Sequence, residues 1–272
     1  DKNENNIPES KEIGIKPLKG DGDFRSKECI ELLKQADIVV TNPPFSLFRE
    51  YVKQLFDYNK KFVIIGNINA ITYKEVFVKI KGNKIWLGAT NFNTGMYFKV
   101  PESFTYAETY KFERERNGEK VNRVPGVCWF TSLDHGRRHQ PLPLMTMEEN
   151  LRYSKHKEIK GKKAYDKYDN YDAIEVSFAD AIPSDYPGTM GVPITFLDKY
   201  NPDQFEIVGM CENEDLYKQK TKVYKSVECK QAYLDKFGKK GTYDLNASGV
   251  IIKNGLLEKV YQRILITHKK KI

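Results

Sequence analysis

Apolar positions along this chain switch between two periods, and each switch marks an element. Ser26 to Ala36 (SKECIELLKQA) sets Ile30, Leu32 and Leu33 on one side of a short helix, with Ser26 as its N-cap. Asp37 to Thr41 has the continuous apolar character of a strand buried on both faces. Ser46 to Tyr58 returns to the helical period through Leu47, Phe48, Tyr51, Val52, Leu55 and Phe56. KKFVIIGNI reads as a second buried strand, TYKEVFVKIKGN as a helix capped by Thr72 and closed by Gly82, and KIWLG as a third strand. Helices and strands alternating over short connections predict an α/β fold with a doubly wound, mostly parallel sheet. Ligands of such sheets bind beyond the carboxyl ends of the strands. Asn42 to Phe45 and Gly66 to Asn69 both fall there.

Past Leu87 the pattern loosens. GMYFKVP, FERERNGEKVNR and VCWFTSL predict β-hairpin pairing at the edge of the sheet. After LDHGRRHQPLPL the chain becomes basic, tyrosine-rich and irregular (LRYSKHKEIKGKKAYDKYDNYD). Short strands are then expected at AIEVSF, GVPITFL, QFEIVGM, SGVIIK and RILITH, a mixed α+β region separated by Pro, Gly and Asn turns. A boundary near Gln140 divides residues 1–140 from residues 141–272.

Composition narrows the class. Of 272 residues, 40% are hydrophobic and 12% aromatic, enough for a packed core. The net charge of +8 favours an anionic partner such as nucleic acid. Four cysteines without a CxxC pair read as free thiols of a reducing cytoplasm, and four histidines without HExxH spacing argue against a metal. No apolar run approaches the roughly 20 residues that span a bilayer, so no membrane partner is expected. The polar lead DKNENNIPESKEIGIKP has no signal-peptide pattern and reads as the edge of something larger.

The chemistry concentrates in Asn42-Pro43-Pro44-Phe45, directly after DIVVT. Asn42 offers a side-chain carbonyl acceptor. Two prolines fix φ and remove two backbone donors, leaving carbonyls as rigid acceptors. Phe45 supplies a flat face for stacking. Together they suit a planar group bearing an exocyclic amine: two acceptors take its hydrogens, its lone pair is freed from the ring, and positioning supplies most of the rate.

Asn42-Pro43-Pro44-Phe45 resembles the (D/N/S)PP(Y/F) motif of S-adenosylmethionine-dependent amino-methyltransferases. The run GDGDFRSKECIELLKQADIVVTNPPFSLFREYVKQLFDYNKKFVIIGNINAITYKE is similar to adenine-specific DNA methyltransferases of the EcoRI modification-methylase family. So are GVCWFTSLDHGRRHQPLPLMTMEENLRYSKHKEIKGK, YDKYDNYDAIEV, AIPSDYPGTMGVPITFLDKYNPDQFEI and RILITHKKK. The resemblance implies a Rossmann-like sheet in a catalytic domain over 1–140 and a target-recognition region over 141–272. It implies adenine N6 methylation in double-stranded DNA with S-adenosylmethionine as donor, in a restriction-modification type system. The target adenine is rotated out of the helix, with Asn42 and the Pro43 carbonyl accepting from N6 and Phe45 stacked on the base. Asp23 and Phe24 match the position where such enzymes contact the cofactor adenine, and Asn67 and Asn69 could line the target-base pocket. The family fold also needs an upstream strand with the cofactor's methionine loop and a second strand whose acid binds ribose. Nothing before Asp23 supplies them, so either that N-terminal part lies outside this chain, which is the expectation, or the chain is a fragment unable to bind the cofactor properly.

Arg137 and Arg138, flanked by His135 and His139, are expected as DNA contacts to guanine or phosphate. Lys155, Lys157, Lys160, Lys162 and Lys163, interleaved with Tyr153 and Tyr165, suit the DNA backbone. The chain is read as a cytoplasmic monomer. Rival readings are methylation of another planar amine, in RNA or a protein glutamine, and a non-catalytic DNA-binding module.

Overall fold

Ser26 accepts a hydrogen bond from the Cys29 amide at 3.2 Å and opens α1 (Lys27–Gln35). The computed structural model describes residues 17–90 and 95–269; most of the polar lead and the last three residues lie outside the described residues. From α1 the chain enters β1 (Ile38–Thr41), a 3-10 turn at Phe45–Leu47 and α2 (Phe48–Asp57). β2 (Lys61–Asn67), a 3-10 turn at Ile68–Thr72, α3 (Lys74–Lys81) and β3 (Trp86–Leu87) follow. Gly82 closes α3 as expected, but Thr72 does not open it. Tyr73 is the N-cap, without a side-chain bond, because the Thr72 hydroxyl donates back to the Asn69 carbonyl at 2.8 Å and so belongs to the preceding turn.

Then come β4 (Met96–Lys99), β5 (Glu115–Arg116), β6 (Glu119–Val124) and β7 (Val127–Thr131). The first sheet has the order β1-β2-β7-β3, with β1 parallel to β2 and β7 antiparallel to both β2 and β3. It is therefore mixed among the described residues, where a mostly parallel sheet was expected. The reason lies in β7. Four of its five residues are buried, so VCWFT is an inserted strand of the sheet and not the edge hairpin its position suggested. The expected hairpin is instead a separate antiparallel sheet of order β4-β6-β5.

β1 also departs from the expectation of burial on both faces. Ile38 is 48% and Val40 68% exposed, and β2 is its single sheet neighbour among the described residues. β2 buries Phe62, Ile64 and Gly66 on one face. A Cβ at Gly66 would come within 2.5 Å of the Phe48 ring and 2.8 Å of the Phe130 ring. Only the bare glycine lets Phe48, the first residue of α2, pack flat on the sheet. That contact anchors the chain just after Phe45.

The second half supplies α4 (Met147–Tyr153), β8 (Ala173–Glu175), β9 (Thr189–Pro193), β10 (Phe205–Met210), α5 (Ser226–Phe237), β11 (Val250–Lys253), β12 (Leu256–Lys259) and β13 (Arg263–His268). The expected strands form here, four of them as a second mixed sheet of order β10-β13-β9-β8. β11 and β12 make a hairpin over Asn254-Gly255, both at positive φ, as a tight two-residue turn requires. α4, opened by a capping box between Thr146 and Glu149, runs into the start of the stretch read as irregular. One apolar cluster joins Phe48, Phe62 and Phe130 to Ile174, Phe205 and Ile266, so the two sheets share a core across Gln140.

Candidate active site

Thr41, the last residue of β1, pairs with Ile64. The chain then leaves the sheet and cannot continue it, because Pro43 and Pro44 donate no amide. Pro43 is buried, while Asn42 and Pro44 are exposed and Phe45 is 39% exposed. The Pro44 carbonyl accepts from the Leu47 amide at 3.0 Å and closes the 3-10 turn into α2. The Pro43 carbonyl and the Asn42 side chain have no partner among the described residues, so two free acceptors stand beside an open ring.

A cleft of about 920 Å³ lies on one side of this turn, within the range of small-molecule sites. Asp23 and Phe24 line it together with Asn42, Pro43 and Pro44, residues some twenty positions away in the chain. Asp23 is fixed by Arg25: its carboxylate accepts from the Arg25 amide at 2.8 Å and from the guanidinium at 2.6 Å. These bonds hold its pKa down to about 2, so at neutral pH it only accepts. The Phe24 ring stands edge-on to Tyr51 at 4.9 Å, and Gln54 donates to the Phe24 carbonyl at 3.0 Å. Leu32, Ile38 and Val40 supply an apolar wall.

Leu47, Tyr51 and Gln54 are cleft residues that the sequence did not single out. Leu47 and Tyr51 were legible as part of an apolar helical stripe, but that stripe serves the core and the cleft together. Asn67 and Asn69 sit at the end of β2, outside the cleft lining. The Asn67 side-chain oxygen Oδ1 accepts from the Asn69 backbone amide at 2.9 Å and caps the turn, which gives it a structural use; Asn69 is exposed.

The two arginines point inward. Arg138 is 8% exposed, bonds Asp134 at 3.0 Å and also Asn83, and lies 3.7 Å over the Trp86 ring. Arg137 donates to the Ala89 carbonyl and to the buried Asp198, both at 2.7 Å. In this arrangement neither guanidinium is free to read bases. His139 bridges Asp203 at 2.6 Å and Asp134 at 2.9 Å. Its hydrogen bonds to Asp203, then to Asp134, raise its pKa above the ordinary 6.5. A raised value in the fold gives stability that is fully present below pH 6.5 and is lost as pH rises through the folded pKa. Thermal melts across pH should therefore show His139→Gln lowering the melting temperature at pH 5.5 and changing it little at pH 9.

Of the lysines, Lys155 pairs with Asp180 at 2.7 Å and Lys162 with Asp166 at 2.6 Å. Lys157, Lys160 and Lys163 are exposed and have no partner among the described residues. Tyr153 is 61% exposed, whereas Tyr165 is buried and donates to the Ala181 carbonyl, so it belongs to the core and not to the basic surface. Among the described residues no helix is long and apolar enough to cross a membrane, and no group of three or more His, Cys, Asp or Glu could hold a metal ion.

A family model described as adenine-specific methyltransferase EcoRI matches residues 1–269. The chain belongs to this family. Within it, the chain is similar to the type II methyltransferase M.EcoRI of Escherichia coli, 51% identical over 206 residues, covering 75% of this chain and 59% of that protein. It is also similar to M.MpnI of Mycoplasma pneumoniae, 41% identical over 75% of this chain and 61% of the relative. M.MgeORF184P of Mycoplasma genitalium is 44% identical over 72% and 59% respectively. The chain thus spans about three fifths of the length of the family members it matches. No solved structure matches it.

Proposed function

We propose that this chain carries the amine-holding half of a site-specific DNA methyltransferase that acts on adenine N6 in double-stranded DNA, within a restriction-modification type system. The observation that supports it most is the turn at Asn42–Phe45: two unpartnered acceptors and an exposed ring, fixed at the end of β1 beside a cleft that also gathers Asp23 and Phe24.

S-adenosylmethionine, when bound, supplies an electrophilic methyl group on a sulfonium. The cleft suits it in composition. Phe24 and the apolar wall offer faces for a purine, and the ionised Asp23 offers an acceptor for an exocyclic amine. On the other side, Asn42 Oδ1 and the Pro43 carbonyl accept the two N6 hydrogens. That pulls the nitrogen toward tetrahedral geometry and turns its lone pair out of conjugation. Phe45 stacks on the extruded base and excludes water from one face. No strong base is required, because the proton becomes acidic only as the N–C bond forms.

A Rossmann-like sheet follows if further parallel strands add to the edge of β1 that has no partner among the described residues, where Ile38 and Val40 are exposed and apolar. Residues 1–140 then serve catalysis and residues 141–272 target recognition. Lys157, Lys160 and Lys163 suit phosphate, while Arg137 and Arg138 act through the loops they pin. With full-length protein, Lys160→Ala should weaken binding to all DNA sequences alike and lower the slope of log affinity against log salt by about one. An unchanged slope would remove that loop from the interface. Labelled cofactor offered with duplex DNA, RNA and protein together tests the reading as a whole. Label on DNA is expected, and label confined to RNA or protein would refute it.

A further inference from the structure

The turn at Asn42–Phe45 gives α2 two sides. Leu47, Tyr51 and Gln54 face the cleft with Asp23 and Phe24. Arg49 turns away from it. Its guanidinium carbon lies 4.2 Å over the ring of Tyr73, the residue that opens α3 beyond the carboxyl end of β2. Arg49 is exposed, and among the described residues no carboxylate or carbonyl takes its hydrogens. Arg25, Arg138 and Arg263 are each held by an acid instead.

A guanidinium held over a ring and free of any acid keeps N–H donors available to solvent, and its fork can grip a phosphate with two parallel bonds. In-line methyl transfer puts the accepting amine and the departing sulfur on opposite sides of the migrating carbon. With the cofactor in the cleft, adenine arrives from the other side, past Phe45 and past Arg49 one helical turn later. An extruded nucleotide brings its own flanking phosphates to the mouth of the pocket.

We propose that Arg49, held over the Tyr73 ring, binds a phosphate adjoining the extruded adenosine; this rests on the adenine methyltransferase reading above. It is a substrate-binding residue that fixes where the base hangs, and Tyr73 is a positioning residue that holds the fork in place.

The test uses full-length protein, with its methylated adenine first mapped on plasmid DNA. Duplexes are then made in which each phosphate flanking that adenine is replaced, one at a time, by an uncharged methylphosphonate. Arg49→Ala should raise KM for natural DNA about tenfold with kcat within about threefold, and should lower the salt slope by about one. One methylphosphonate position should raise KM for the wild type about as much, and Arg49→Ala should be indifferent to that same replacement. Tyr73→Leu should raise KM by part of that factor, and Tyr73→Phe should raise it little. Full affinity of Arg49→Ala for natural DNA, or losses that multiply at every methylphosphonate position, would overturn the clamp while the methyltransferase reading stands. A wild type that methylates no adenine in duplex DNA would overturn both.

Discussion

Asn42→Ala in the full-length protein is expected to lower kcat for methyl transfer about 10³-fold or more, while DNA affinity stays within about threefold. Asn42 makes no bond among the described residues and is exposed, so the fold loses nothing it uses. In the proposed mechanism the side-chain carbonyl acts only when an amine sits against it, and its contribution is larger in the transition state, where the nitrogen gains positive charge and becomes a stronger donor. Asn42→Asp restores an acceptor and should recover part of the rate. Single-turnover rates beside binding isotherms make the measurement. Equal loss of binding and rate would assign Asn42 a structural role.

The largest effect on stability is expected at a second place, far from that chemistry. Glu175 and Arg263 form a buried pair with side chains 4% and 9% exposed, joined at 2.6 Å. Tyr168 and Ser177 donate to the same carboxylate. Removing one member strands a charge with no water to solvate it, so Arg263→Met should destabilise by about 3–5 kcal/mol in chemical denaturation. Glu175→Gln should cost less, because the amide oxygen still accepts from Arg263 and Tyr168. Adding Glu175→Leu to Arg263→Met should recover part of the loss, since the lone carboxylate is gone. A single-variant cost under about 1 kcal/mol for Arg263→Met would show the pair to be dispensable.

The sequence resolved local structure better than arrangement, and the reasons are physical. Ser26 as a cap, the stripe of α2, the closing Gly82 and the strands of the second sheet depend on neighbours within a few residues. The place of β7 does not. Val127–Thr131 is apolar enough for a sheet interior, but only partners more than forty residues away, Trp86 and Val63–Asn67, say which gap it fills. The site divides the same way. Asn42-Pro43-Pro44-Phe45 was readable because its rigidity and acceptors lie in one tetrapeptide. Arg137 and Arg138 looked like surface cations until Asp198, Asn83 and Trp86 met them from elsewhere in the chain. Arg49 had no signal in sequence, since an arginine on an amphipathic helix is ordinary until an aromatic face holds it.

The most direct test of the central claim is the identity of the modified nucleoside. Duplex DNA incubated with full-length protein and S-adenosylmethionine, digested to nucleosides and resolved by mass spectrometry, should yield N6-methyladenosine as its deoxynucleoside, and Asn42→Ala should leave it undetected. A wild-type product on cytosine N4, or no methylated base in DNA at all, would contradict the account.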